Sequence, residues 1–247
     1  MKHYFLGKSK WILGCMLSVS LLAVSCRKED DSTKDDVITT DDAADITTNA
    51  VASASYGIQS SVSSASQTAT EKNVYTTTPS ISCGQTYPNS FTASQTTNTY
   101  SYNYNINGTY QMTCTSLGLP STFIYTLNMQ GNYDTPRMSS NDTSQGNLVF
   151  TGLAPSSTNA IVNGNFTRNG NQVSKVQNQR TFTSTTQINL TDLTINKSTA
   201  KILSGTGTAT ISVTSSGVTK NFTGNITFNG NGVATLLING VSYTINL

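Results

Sequence analysis

The residues of this chain that could do chemistry are few and unevenly placed. Its 247 residues include only one histidine, four cysteines and 12 carboxylates. The histidine is His3, at the head of a basic and apolar segment that reads as a cleavable targeting signal. A chain processed there keeps no imidazole. That excludes histidine-dependent triads, cysteine–histidine pairs and most zinc sites. Eight of the acids lie between Glu29 and Asp45, leaving Glu71, Asp134, Asp142 and Asp192 for the rest of the chain. Two-carboxylate glycoside hydrolysis would have to draw on those four. Asp134 and Asp142 lie in polar, turn-like sequence, Asn132-Tyr133-Asp134-Thr135-Pro136 and Asn141-Asp142-Thr143. In such sequence Asp commonly caps backbone amides. Asp134, Asn141 and Asp142 also lack the alternating ligand pattern of a calcium loop. No glycine-rich phosphate loop precedes a helix pattern. The expectation is no catalytic residue, no metal and no cofactor.

The cysteines say more. Cys15 lies in the apolar run 11–24, WILGCMLSVSLLAV, which follows Lys2, Lys8 and Lys10. The run is shorter than the roughly 20 residues needed to cross a bilayer core. It ends at Ala23-Val24-Ser25-Cys26, where small residues precede a cysteine. That is the pattern read by the lipoprotein signal peptidase. Cys26 would carry a diacylglycerol on sulfur and a further acyl chain on its new amino group. Several chains together anchor stably where one does not. Ala23 and Ser25 also suit ordinary signal peptidase, which would release a soluble protein with the same first residue. Cys83 and Cys114 remain, either as a disulfide in an oxidising compartment or as two buried thiols.

Directly after Cys26 comes Arg27-Lys28-Glu29-Asp30-Asp31. With the lipobox-like Ala23-Val24-Ser25-Cys26, this charged stretch resembles the tether of surface-exposed lipoproteins of the Bacteroidota. The resemblance implies a lipid-anchored protein of the outer membrane, displayed at the cell surface. It implies no activity, because no catalytic motif comes with it.

These residues need elements to position them. Residues 1–25 read as the signal peptide and 26–42 as a flexible acidic tether. A Thr cap with acids behind it, Thr40-Asp41-Asp42, opens a helix pattern. Ala43, Ile46, Ala50, Ala54, Ile58, Val62, Ala65 and Ala69 recur at spacings of three and four, so 43–72 reads as helical or partly disordered. From 73 to 247 the period is two. Tyr100, Tyr102, Tyr104 and Ile106 alternate with polar residues, and Asn107-Gly108 reads as a turn before Tyr110, Met112 and Cys114. Ala160, Val162, Gly164 and Phe166 alternate likewise. A slip of phase at Thr191-Asp192 suggests a bulge. At the end, Asn239-Gly240 is a two-residue hairpin signal that pairs Ile238 with Val241, Leu236 with Tyr243 and Ala234 with Ile245. The fold expected is mainly β, with ten to twelve strands. It is an antiparallel β-sandwich or an open β-barrel with a short N-terminal helical segment packed on it.

Tyr100, Tyr102 and Tyr104 share one strand face. They could stack glycan rings, or they could form a core face or cross-strand ladder. A formal net charge of +2, without a basic groove, speaks against nucleic acid. The folded part has few charges and must cover itself with Ser, Thr, Asn and Gln. The functional expectation is a non-catalytic lipoprotein for binding, adhesion or envelope structure. Its partners would be a membrane through its lipid and a glycan or surface protein. One rival is a β-sheet carrier of a lipid or small hydrophobe, which needs a large apolar cavity. The other is a carbohydrate-active enzyme, which needs two acids across a cleft.

Overall fold

The computed structural model describes residues 38–176 and 179–247. The signal segment, Cys26 and most of the expected tether lie outside the described residues. Residues 38–42, counted with the tether on sequence, belong to the folded domain, and Ile38 is buried. Helix α1 runs Thr40–Val51. Its cap is Thr39, one residue before the Thr expected, because only Thr39 has an acid three residues on. The Thr39 hydroxyl accepts from the Asp42 amide (3.2 Å), and the Asp42 carboxylate accepts from the Thr39 amide (2.7 Å). This capping box satisfies two amides that the first helical turn leaves open.

After the 3-10 turn Ser53–Ser55, helix α2 runs Ile58–Glu71. Gly57 is required between them. A Cβ there would meet the Ala50 carbonyl oxygen at 2.6 Å. The apolar stripe lands where its period puts it. Ala43, Ile46, Ala50, Ile58, Val62, Ala65 and Ala69 are all buried. Ala54 is only half-buried, because the helix has ended and the 3-10 turn breaks the period.

Ten strands follow among the described residues. They are β1 (Thr86–Thr96), β2 (Ser101–Cys114), β3 (Pro120–Asp134), β4 (Met138–Thr151) and β5 (Asn159–Ser174). Then come β6 (Thr181–Asn196), β7 (Ile202–Ser215), β8 (Val218–Gly230), β9 (Val233–Ile238) and β10 (Val241–Asn246). Each pairs antiparallel with the next in chain order, and β1 does not pair with β10. The result is one open sheet with the helical segment on its apolar face. Of the two architectures expected, the open one forms, and the described residues build no second sheet. Helix α1 packs along β6, β7, β9 and β10, while the 3-10 turn lies on β2 and β3. The helices thus bury the face that a sandwich would have covered with strands.

Two local readings change. Strand β2 runs straight through Asn107-Gly108 rather than turning there. Gly108 is needed because a Cβ would come within 2.0 Å of the Thr126 carbonyl oxygen, so the neighbouring strand and not a turn selects glycine. The first strand begins at Thr86 instead of near 73, and the turns of 72–85 carry Cys83.

Two others hold. The register between β6 and β7 shifts after Thr191, with Asp192 at a φ of 51°, which is the bulge. Asn239 and Gly240 both have positive φ (50° and 79°), as a type I′ turn requires, and the three predicted pairs of β9 and β10 form. Ala234, Leu236, Ile238 and Ile245 from this hairpin are fully buried, but Val241 beside the turn is 47% exposed.

Candidate functional site

Strand period two sends alternate residues to opposite faces. On β2 to β7 the outward set is almost wholly Asn, Gln, Thr and Ser. The pairing aligns these residues into rows across the sheet. Asn103 lies beside Asn132, Asn132 beside Asn141, and Asn141 beside Asn171. Thr183 and then Thr214 continue that row. The next row, two residues along each strand, is Asn105, Gln130, Thr143, Asn169, Thr185 and Ser212.

The two rows line a groove of about 860 Å³. Such a hollow on the face away from the helices is possible because a twisted, coiled sheet is saddle-shaped and can be concave on both sides. A smaller groove of about 350 Å³ shares Asn105, Gln130 and Thr143 and continues toward Asn107, Asn128 and Gln145. Asp142 is the one ionisable residue along the larger groove, and its carboxylate is turned to the opposite face. The surface offered is therefore uncharged and rich in paired donors and acceptors.

Directly beneath, on the helix side, lies a polar centre that sequence reading missed. Arg168 is 2% exposed and Asp142 is 5% exposed. Their nearest charged atoms are 3.6 Å apart. The Arg168 guanidinium donates to the Ser144 hydroxyl (3.1 Å) and to the carbonyls of Asn49 (2.6 Å), Ser55 (3.0 Å) and Tyr56 (3.1 Å). It thereby meets one carbonyl in the last turn of α1, where the helix dipole favours a cation, and two at the end of the 3-10 turn. The rings of Tyr104, Tyr133 and Phe166 surround it at 5.6–5.7 Å. The Tyr104 hydroxyl donates to the Asp142 carboxylate at 3.0 Å. Burial raises the Asp142 carboxyl above its usual range, with Arg168 pulling it down. Burial also pushes the phenols of Tyr104 and Tyr133 upward. This centre ties the helix pair to β4 and β5, the strands under the middle of the groove.

The predicted site residues fall in different places. Tyr104 is fully buried and bonded to Asp142, so it cannot stack a glycan ring. Tyr102 packs against Tyr56 with ring centroids 5.4 Å apart, and Tyr100 stacks on Tyr102 at 6.5 Å. The row is the core-face ladder, continued outward by its first two members. Cys83 and Cys114 form a disulfide.

The turn reading of Asp142 is overturned, because it sits in the middle of β4, bound to buried partners. Asp134 closes β3 on the exposed face and pairs with Lys175. Asp142 and Asp134 thus point to opposite faces. Glu71 ends α2, and Asp192 sits in the bulge bound to Asn163. No two of these four acids share a cleft among the described residues. No group of three His, Cys, Asp or Glu side chains there could hold a metal ion.

The chain matches no protein-family model, no curated protein and no solved structure. Function must be read from the site itself. The outward rows were legible as a polar phase, but not as a groove. The buried centre had a signal: Arg168 keeps the inward phase of Val162 and Phe166, and Asp142 that of Leu148 and Phe150. Two opposite charges in core phase imply each other.

Proposed function

We propose that this chain is an exported lipoprotein, anchored through Cys26, whose β domain works outside a membrane as a non-catalytic binding module. The observation that carries the binding reading is the uncharged groove on the outer sheet face, backed from below by the buried Arg168–Asp142 pair and free of any carboxylate pair. A hydrophobe carrier would need its apolar face open, whereas α1 and α2 fill that face. Export is supported by the basic start, the short apolar run and the small residues before Cys26. The disulfide between Cys83 and Cys114 suits an oxidising compartment. Among the described residues no helix is long and apolar enough to cross a membrane.

The test is metabolic labelling of the full chain with a palmitate analogue, followed by membrane fractionation. The wild type should take up label and sediment with membranes, and Cys26→Ala should do neither. A Cys26→Ala protein that still carries label and sediments with membranes would remove the anchor from the proposal. Protease added to intact cells should cleave the domain if it is displayed outward.

A further inference from the structure

The outer sheet face is not uniform in how its side chains are used. Away from the groove, cross-strand neighbours bond each other. The Thr109 and Thr126 hydroxyls are 2.8 Å apart and those of Thr113 and Thr122 are 2.6 Å apart. Asn229 donates to Thr235 (2.8 Å), and in the smaller groove and the larger groove's second row Asn107, Asn105 and Asn169 accept from Ser90 (2.7 Å), Thr92 (3.1 Å) and Thr185 (2.8 Å). In the groove's first row, by contrast, the amides of Asn103, Asn132, Asn141 and Asn171 lie side by side in register and make no side-chain hydrogen bond among the described residues. Each offers two donors and an acceptor with two lone pairs. Adjacent strands are about 4.8 Å apart, so the row from β2 to β7 is roughly 24 Å long over its five gaps. The larger groove alone has the volume of a small-molecule site.

The chemistry of that lining selects an occupant. An anionic or cationic ligand would be stripped of water without meeting a counter-charge, because no ionised group faces the groove. A lipid tail would displace water from a dozen amides and hydroxyls and give nothing back. A chain of vicinal hydroxyls both donates and accepts, as the amides do, and its repeat can meet successive strands.

We propose that this groove binds a linear, neutral oligosaccharide laid across β2 to β7, with the amides of Asn103, Asn132, Asn141 and Asn171 as its main contacts. The assignment rests on the reading of the domain as a binding module and names its ligand class. It does not use Tyr100, Tyr102 or Tyr104, which face the other side of the sheet. Recognition is by a ladder of hydrogen bonds. It should therefore weaken gradually as amides are removed, and it should be insensitive to salt, because no charge is involved.

The experiment is calorimetric titration of the full chain held in detergent-free lipid nanodiscs. The probes are neutral gluco-, manno-, galacto-, xylo- and N-acetylglucosamine hexasaccharides, alongside a uronate and a sulfated hexasaccharide and phosphatidylcholine vesicles. At least one neutral hexasaccharide should bind with little dependence on salt. The double variant Asn132→Ala/Asn141→Ala should weaken it about tenfold or more, as expected for two hydrogen bonds lost. Thr126→Ala, outside the groove on the same face, should bind as the wild type does. The variants' unfolding midpoints, measured alongside, separate lost binding from lost folding.

No binding by any neutral hexasaccharide overturns the assignment. A charged oligosaccharide or the vesicles binding through the groove, with loss in the double variant, overturns the ligand class and leaves the binding module standing. Neutral binding untouched by the double variant overturns the groove as the site.

Discussion

Asn141 and Asp142 are neighbours in β4 and live in different solvents. Asn141 faces water on the outer side, flanked by Asn132 and Asn171, with no protein partner for its amide among the described residues. Asp142 faces the helices, 5% exposed, held by Arg168 and the Tyr104 hydroxyl. On the outer face a polar group costs almost nothing and does almost nothing for stability. On the inner face a charge such as that of Asp142 needs partners, because an unpaired one there loses its water and gains no replacement. One sheet thus separates two surfaces: the inner face holds the fold, and the outer face carries the groove proposed for binding.

Alkaline pH should break the inner face most completely. The phenols of Tyr104, Tyr125 and Tyr133 are raised above their ordinary value near 10, first of all by burial. A raised phenol keeps its proton in the folded chain at a pH where the unfolded chain has lost it. Stability is therefore full below about pH 10 and falls as the pH rises above it. Absorbance titration should show these phenols ionising together in one cooperative step, coincident with loss of circular dichroism. Independent ionisation of the three while the fold persists would contradict the burial assigned to them.

Removing one partner of the buried pair comes next. Arg168→Met strips Asp142 of its counter-charge and removes the guanidinium from the carbonyls of Ser55 and Tyr56, and should lower stability by about 3–5 kcal/mol in urea titration. Adding Asp142→Leu should recover part of that loss, since the stranded charge is then gone as well. Opening the disulfide through Cys83→Ser/Cys114→Ser should lower stability by about 4 kcal/mol, the loop-closure effect for a separation of 31 residues. Thermal unfolding with and without reductant checks it independently.

The smallest effect belongs to the outer face. Asn132→Ala/Asn141→Ala should shift stability by no more than about 0.5 kcal/mol per site. A loss several times larger would mean that the two faces are not separable.

The C-terminal hairpin shows what could be read in advance. Asn239-Gly240 fixes a two-residue turn, and a turn of known length fixes the register, so Ala234 and Ile245 could be paired from sequence alone. The helix stripe could be read for a similar reason, because Ala43, Ile46 and Ala50 in α1 and Ile58, Val62, Ala65 and Ala69 in α2 each keep the period of one local element. Asn107-Gly108 misled because the same dipeptide serves two purposes. Here it gives close approach between β2 and β3, which depends on a strand some 20 residues away (Gly108 pairs with Leu127). Asp142 misled because Asn-Asp-Thr has turn composition, while its inward phase is set by Leu148 and Phe150 further along the strand.

By itself, then, the sequence determined the main periods: the helical stripe from Ala43 to Ala69, the alternation of the later strands, and where the last hairpin turns. It determined these because φ/ψ preferences and side-chain alternation are local. Only the tertiary structure decided which residues became neighbours. It set Asn103, Asn132, Asn141 and Asn171 in one row, brought Arg168 to the end of α1, and left the sheet open around a helix pair rather than closed by a second sheet. Pairing between distant strands chooses neighbours by the fit of whole faces, and no local pattern carries that information.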